Sequence, residues 1–283
     1  MRGFAAQVKA VLVFTLLILG AASFFVQAQF TPKEIAQRPE WENFLKTAEI
    51  VSSKEIGEGV TKPYKLHLKK GDIEKDAAWK NPSGWQQGFW EGWQYEIAAY
   101  RMDKLIGLNM IPPYIEREFK GQKGALSLWA ESKTSLLKMM EQGIKIPPAA
   151  ADQTEKMKYV TRAFDSLIAN EDRTQQNVLF TEDWRTILID HSRSFRCTKE
   201  CTEKLMFGSN GLKRTSEGRP FLFRQLPRAF VEKVRALTYT NVQSAVGPYL
   251  TDEEIKAIII RKDLLLKEIE GMIKEKGEDK VLY

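Results

Sequence analysis

Cysteine is nearly absent from this chain. Only Cys197 and Cys201 occur among 283 residues, and histidine is as scarce, at two. Cys197, Cys201 and His191 are too few ligands for a closed structural zinc site, and their spacing matches no recognised zinc pattern. A bridge between the two cysteines is the remaining expectation. An exported protein permits it, although so short a loop would gain little stability from it. Internal repeats and low-complexity tracts are also lacking, which sets aside solenoids and disordered arrays. A strong charge of one sign is missing too: 43 lysines and arginines face 37 acids, and the net +6 is too diffuse for a nucleic-acid surface. What is present is ordinary for a folded protein. Hydrophobic residues make up 43% and aromatic ones 11%, enough for a real core, and the length suits one large domain or two small lobes.

A long uncharged run stands at the start. Arg2 and Lys9 precede residues 10–26, 17 positions without charge, and Val26-Gln27-Ala28 puts small residues where a leader is cut. That is the layout of a secretory signal peptide. The apolar core falls slightly short of a comfortable membrane span, so cleavage after Ala28 is expected. The alternative is a retained N-terminal membrane anchor, because the next charge after Lys9 is Lys33. Cleavage removes Arg2 and Lys9, takes the net charge from +6 to +4, and leaves no membrane span. The expected location is outside the cytoplasm: periplasm, secretory pathway or medium.

Along the remainder the hydrophobic period changes once. Residues 32–46 read as an amphipathic helix with Ile35, Trp41, Phe44 and Leu45 on its apolar side. Strands are expected at 48–51, 64–69 and 76–80, with Gly57-Glu58-Gly59 as a flexible turn between the first two. Residues 93–106 read as a helix closed by Gly107 at its C-cap, followed by strands at 114–119 and 125–130. Beyond Glu131 the chain turns helical, at 135–142, 154–169, 226–238 and 252–274. Pro147-Pro148 reads as a break, residues 208–218 as a polar loop, and 178–189 as a hairpin. The expected class is α+β and bilobal. An N-terminal helix (29–46) leads to a small antiparallel-sheet lobe with one helix (47–131), a linker at Trp129-Ala130-Glu131, and a mainly helical lobe (132–283). Trp79, Trp85, Trp90 and Trp93, with Phe89 and Tyr95, read as packing between helix and sheet; the alternative is a surface for a sugar or a partner.

The hairpin carries the chemistry. Asp172 precedes Asn177 by five residues, and Asp190 follows thirteen residues after Asn177. Phosphoryl transfer asks a protein for a group that orients the attacking hydroxyl and for oxygen ligands that hold Mg²⁺ against the phosphates. Asp172 can accept the hydroxyl proton, and Asn177 and Asp190 offer the hard oxygens that Mg²⁺ prefers. A hairpin between the last two brings them together at its open end. Asp and Asn are also common turn residues, so each half of this pattern is weak alone.

The order of residues resembles the protein-kinase family. That pattern places a Lys on the third strand, a Glu on the next helix, an Asp with Asn five residues on, and an Asp after the following hairpin. Lys80, Glu96, Asp172, Asn177 and Asp190 fill those places. The resemblance implies that Lys80 holds the α- and β-phosphates of ATP, that Glu96 positions Lys80, and that Asn177 and Asp190 bind Mg²⁺ or Mn²⁺. It implies that the Trp129-Ala130-Glu131 linker receives the adenine, and that Gly57 and Gly59 lie in the phosphate loop. Locally, Asp172-Arg173 and Ile189-Asp190-His191-Ser192-Arg193-Ser194-Phe195 are similar to the atypical branch: Golgi secretory-pathway kinases, type II phosphatidylinositol 4-kinases and HipA-like kinases. Lys62 stands where a third loop glycine would be, no His-Arg precedes Asp172, no Phe-Gly follows Asp190, and no Ala-Pro-Glu closes the following segment. Regulation by an ordinary activation loop is therefore not expected.

Two functions fit. The first is an exported Mg²⁺/ATP-dependent phosphotransferase whose hydroxyl-bearing acceptor is a protein, sugar, lipid or small molecule. The second is a pseudokinase, a nucleotide-, glycan- or partner-binding module, which the scarcity of ATP outside the cytoplasm favours. N-terminal sequencing of the fractionated protein should find Gln29 as the first residue; an intact Met1 in the membrane fraction would establish the anchor instead.

Overall fold

Proline and glycine set the punctuation of this structure, a computed structural model that describes residues 30–57, 63–86 and 88–283. The expected signal peptide, Gly59 and Lys62 lie outside the described residues. Thr31 and Glu34 form a reciprocal cap on α1 (Pro32–Ala36), and α2 (Arg38–Thr47) follows after Gln37. The single helix expected at 32–46 is thus two, because Pro39 brings no N–H and suits only a first helical turn. Strands β1 (Glu49–Glu55), β2 (Tyr64–Lys70) and β3 (Ile73–Lys80) come next. Then a hairpin, β4 (Ser83–Gln86) and β5 (Phe89–Gly92), leads into α3 (Trp93–Ile106), which Gly107 ends at φ +72°. β6 (Tyr114–Phe119) and β7 (Gln122–Leu128) complete a five-stranded antiparallel sheet in the order β1-β2-β3-β7-β6.

Alternation decides what each face of this sheet does. Leu66 and Leu68 on β2, Ala77 and Trp79 on β3, and Ile115 and Leu126 on β6 and β7 bury one face beneath Phe44 and Leu45 of α2. Arg117 fastens that helix by donating to the carbonyls of Leu45 (2.5 Å) and Ala48 (2.6 Å). Asp76, Ala78 and Lys80 therefore point to the opposite face of β3.

The helical part begins with β8 (Thr134–Ser135) and α4 (Leu136–Gln142), followed by α5 (Pro148–Leu167). Pro148 starts α5 instead of breaking the chain, since a proline at the first helical position needs no donor. The hairpin β9 (Val178–Phe180) and β10 (Thr186–Leu188) lies where expected and pairs with β8. After α6 (Lys199–Glu203) and a loop come α7 (Arg228–Arg235), α8 (Tyr239–Val246), α9 (Asp252–Lys276) and α10 (Glu278–Val281). The sequence pattern missed α8, whose start is a Thr238/Asn241 reciprocal cap. The larger apolar core joins α3 to α5, α7, α8 and α9.

The tryptophans divide. Trp79 is in the sheet core and Trp93 packs against the helical core, whereas Trp85 is 74% exposed at the β4–β5 hairpin and meets Trp90 edge-on. The stretch before α3 is a hairpin in which Gly88 (φ +82°) lies in the turn between β4 and β5 and supplies its left-handed backbone. The expected bridge is not formed: Cys197 and Cys201 are free thiols, Cys201 buried within the apolar core. Among the described residues, no helix is long and apolar enough to cross a membrane.

A close approach beside Lys80 generates a stability prediction. A Cβ at Gly124 would come within 2.5 Å of the Lys80 carbonyl oxygen and 2.7 Å of the Trp79 ring. Gly124→Ala should destabilise the protein by about 1–3 kcal/mol, the usual scale of overpacking. Thermal and denaturant unfolding measure it, and an unchanged midpoint would mean that β3 and β7 are less tightly apposed.

Candidate active site

Lys80 closes β3 with its side chain on the face that α2 leaves open, and α3 brings Glu96 to it. The start of α3 is fixed by two backbone bonds: Trp93 N–H donates to Pro82 O (2.8 Å) and Gly92 N–H to Ser192 O (3.0 Å). One turn later Glu96 is fully buried, and its Oε1 lies 3.1 Å from Lys80 Nζ. Its Oε2 accepts the backbone N–H of His191 at 3.0 Å. Lys80 Nζ also stands 3.0 Å from Asp190 Oδ1. Burial opposes the charge on Lys80, but Asp190 and Glu96 outweigh it and hold its pKa well above the ordinary lysine value. Burial likewise opposes ionisation of Glu96, yet Lys80 and the His191 contacts hold its carboxyl well below the usual range. Asp190 itself is left-handed, at φ +61°, a conformation that Asp tolerates better than most residues.

Asp172 and Asn177 sit on the loop between α5 and β9. Asn177 is buried and its Nδ2 donates to the Asp172 carbonyl at 3.2 Å. Ile189 N–H donates to Asn177 O at 3.2 Å, which sets Asp190 beside Asn177 at the open end of the hairpin. Arg173 is the loop's central pin. Its Nε and Nη2 donate to Asp165 at 2.9 and 3.0 Å, and its Nη1 to the carbonyls of Asn177 (3.1 Å) and Ile189 (2.9 Å). Arg173 Nη2 also lies 2.8 Å from His191 Nε2. Burial and the Arg173 charge push the His191 pKa down, so Nε2 is the acceptor in that contact.

Two charged residues beside Asp172 escaped the sequence reading. Arg193 places Nη1 3.3 Å from Asp172 Oδ2 and Nη2 2.6 Å from Glu91 Oε1, and its guanidinium covers the Phe89 ring at 4.5 Å. Glu91 is 2% exposed in β5. The only sequence signal for this pair was its company: an acid in an aromatic hairpin and an arginine three residues after Asp190. Burial raises the pKa of Asp172; Arg193 opposes that shift, while Asp190 adds to it.

The remaining expected residues are less tightly gathered. Trp129, Ala130 and Glu131 do connect β7 to β8. Trp129 N–H donates to Asp76 O at 3.0 Å, and its ring lies 4.5 Å below Lys65 Nζ, itself 2.7 Å from Asp76. Gly57 is exposed beyond β1, and a Cβ there would touch nothing within 4 Å.

The donor set suits a divalent metal that shares its shell with phosphate. Asn177 donates through Nδ2, which leaves its Oδ1 as the ligand atom. Among the described residues no three His, Cys, Asp or Glu side chains gather as a metal site. Two oxygen ligands with phosphate and water are what Mg²⁺ accepts, whereas a closed protein cage is not.

Comparison with solved structures places the architecture. A Helicobacter pylori proinflammatory kinase, CtkA, superposes with a TM-score of 0.55 at 10% identity, over 82% of this chain and 96% of that one. The chain has a bilobal, kinase-like α+β fold. No protein-family model matches the chain, and no curated protein matches it.

Lys80→Met and Glu96→Gln should each destabilise the protein by roughly 3–5 kcal/mol, the cost of stranding one partner of a buried pair. The double variant should lose clearly less than the sum. Because folding depresses the Glu96 pKa, its contribution is complete above the ordinary glutamate range and fades as pH falls through the folded value. The gap between wild type and Glu96→Gln should therefore narrow in acid. Denaturant unfolding across pH measures this, and strictly additive losses would show that the side chains do not meet.

Proposed function

We propose that the protein is an exported, ATP-dependent phosphotransferase of the atypical kinase type, which moves a γ-phosphoryl group to a hydroxyl. The observation that carries this reading is the Lys80 ammonium, held between Glu96 and Asp190 at 3.1 and 3.0 Å, beside the loop that bears Asp172 and Asn177. Lys80 and Glu96 come from the sheet lobe and Asp172, Asn177 and Asp190 from one stretch of the helical lobe, and together they supply the cation, the metal ligands and the base that phosphoryl transfer uses. The local resemblance to secretory-pathway kinases, type II phosphatidylinositol 4-kinases and HipA-like kinases supports the atypical branch, and the N-terminal leader pattern supports export.

Each residue has a role in this reading. Lys80 keeps its positive charge because of its two acid neighbours, and it binds the α- and β-phosphates as a point charge. Glu96 positions Lys80. Asn177 and Asp190 hold Mg²⁺ or Mn²⁺, which when bound neutralises charge on the phosphates. Asp172 orients the acceptor hydroxyl and takes its proton; a pKa raised by burial makes it a better base than an exposed aspartate. Arg193 positions the Asp172 carboxylate. Trp129, Ala130 and Glu131 receive the base, and Gly57 begins the loop assigned to the phosphates. The pseudokinase reading keeps one supporting observation: the exposed Trp85 offers a surface that catalysis does not need.

Asp172 and Asp190 should fail differently. Asp172→Asn should leave metal-dependent ATP affinity nearly intact and reduce turnover about 10²–10⁴-fold, while Asp190→Asn should lose affinity and turnover together. The acid limb of the pH–rate profile should lie above the ordinary aspartate pKa, and Arg193→Met should move it higher, since the charge that lowers the Asp172 pKa is gone. Titration of nucleotide with Mg²⁺ and labelled-ATP transfer measure these. Full activity in Asp172→Asn removes the catalytic assignment, and ATP binding without turnover in the wild type establishes the pseudokinase.

A further inference from the structure

Beside Asp172 the helical lobe contains a pocket of about 760 Å³ walled by α5, the Asp172 loop, β9 and the loop before α7. Its volume falls within the range of small-molecule sites. Phe207, Phe221, Leu136 and Ile146 are among its walls, and the lining is largely apolar. Two features make it more than a greasy hollow. Thr161 and Thr174 both line it, and their Oγ1 atoms are buried with no hydrogen-bond partner among the described residues. Thr161 is 6% exposed. An unpaired buried hydroxyl is costly, and rotation of either threonine toward a polar ligand in the pocket would relieve that cost.

The charges of the wall are unbalanced. Each acid on it has a cationic partner: Glu155 with Lys158, Glu171 with Arg196, and Asp172 with Arg193. Arg173 is taken by Asp165. Arg162 and Lys213 have no carboxylate within ion-pair distance among the described residues. They donate only to carbonyl oxygens, Arg162 to Leu222 at 2.5 Å and Lys213 to Glu171 at 2.6 Å. Arg162 also lies against Phe221, 5.2 Å from the ring centroid.

We propose that this pocket is the acceptor site, and that the acceptor is a small alcohol with an apolar body and an anionic group. The hydroxyl faces Asp172, the body lies against Phe207 and Phe221, and the anion is held by Arg162 and Lys213 with hydrogen bonds from Thr161 and Thr174. This rests on the phosphotransferase reading. In the transfer step the acceptor oxygen forms a bond to the γ-phosphorus, and the bond from that phosphorus to the β–γ bridging oxygen breaks. ADP leaves with the electron pair, and the hydroxyl proton passes to Asp172.

The test uses 6-hydroxy-2-naphthoate, an aromatic anion with a hydroxyl, and its uncharged analogue 2-naphthol. Binding is followed by calorimetry on the full protein, and MgATP affinity is measured on the same samples. The anion should bind about tenfold more tightly than naphthol, as a charge-assisted contact implies. Lys213→Met should remove most of that preference. The near-isosteric Thr161→Val should weaken anion binding several-fold, and both variants should keep wild-type MgATP affinity. Labelled phosphate should appear on the probe's hydroxyl, and more slowly in both variants. If the anion does not bind, or binds equally well to both variants, while MgATP affinity is intact, the pocket assignment is overturned and the phosphotransferase reading stands. If the anion binds as expected but the wild type engages no MgATP, the acceptor role is overturned along with the phosphotransferase reading. Transfer to protein side chains but to no anionic small alcohol overturns the substrate class.

Discussion

The arrangement depends on one carboxylate that has no access to water. Glu96 is completely buried, and an ionised group in that position costs several kcal/mol unless its oxygens are filled. Both are. One faces the ammonium of Lys80 and the other accepts the His191 N–H. Satisfying Glu96 therefore fixes three pieces of chain at once: the end of β3, the first turn of α3 and the strand exit after β10. Lys80 then reaches Asp190 as a second consequence of the same constraint. Lys80 and Glu96 belong to the sheet lobe, His191 and Asp190 to the helical lobe, so the same group of charges joins the two sides of the cleft.

His191 connects this support to a second one. Its backbone meets Glu96, and its ring Nε2 meets Arg173, which is itself locked to the fully buried Asp165. The ring Nδ1 stands 3.7 Å from Glu96, beyond hydrogen-bond length, so that contact is electrostatic only. Through Arg173 the loop carrying Asp172 and Asn177 is tied to α5 and to the carbonyls on both sides of the hairpin. The hairpin β4–β5 adds a third tie through Glu91 and Arg193. The polar residues of the site are thus held by charges that are themselves buried and paired, the arrangement that preserves position at a reacting centre.

How much of this was legible in the sequence follows from the range of each interaction. Period and punctuation are local, so α3 with Gly107, the hairpin 178–189 and the start of α9 could be read directly. Lys80, Glu96, Asp172, Asn177 and Asp190 could be named as candidates because their order along the chain is itself the signal. Glu91 and Arg193 could not, because an ion pair across a hundred residues leaves no local trace. The expected single helix at 32–46 failed at Pro39, and the expected break at Pro148 proved to be a helix start; both are the same residue chemistry read at the wrong position. The cysteine bridge failed for another reason. An i, i+4 spacing permits approach, but Cys201 is drawn into the apolar core and Cys197 is left outside.

Arg261 of α9 is wholly buried and donates to Leu167 O at 2.8 Å, at the C-terminal end of α5, and to Arg196 O at 2.6 Å. Its cation meets the negative end of the α5 dipole there, and it secures the segment that leaves Asp190. A chain made from its N terminus presents every residue of the cleft before it presents Arg261. Until α9 arrives, the carbonyls of Leu167 and Arg196 lack this donor and the segment behind the site has no clasp. The cleft is thus completed after its own residues have emerged, as expected where contacts of high sequence separation close a fold. Arg261 thus joins the end of α5 to the segment after Asp190 only once both have emerged.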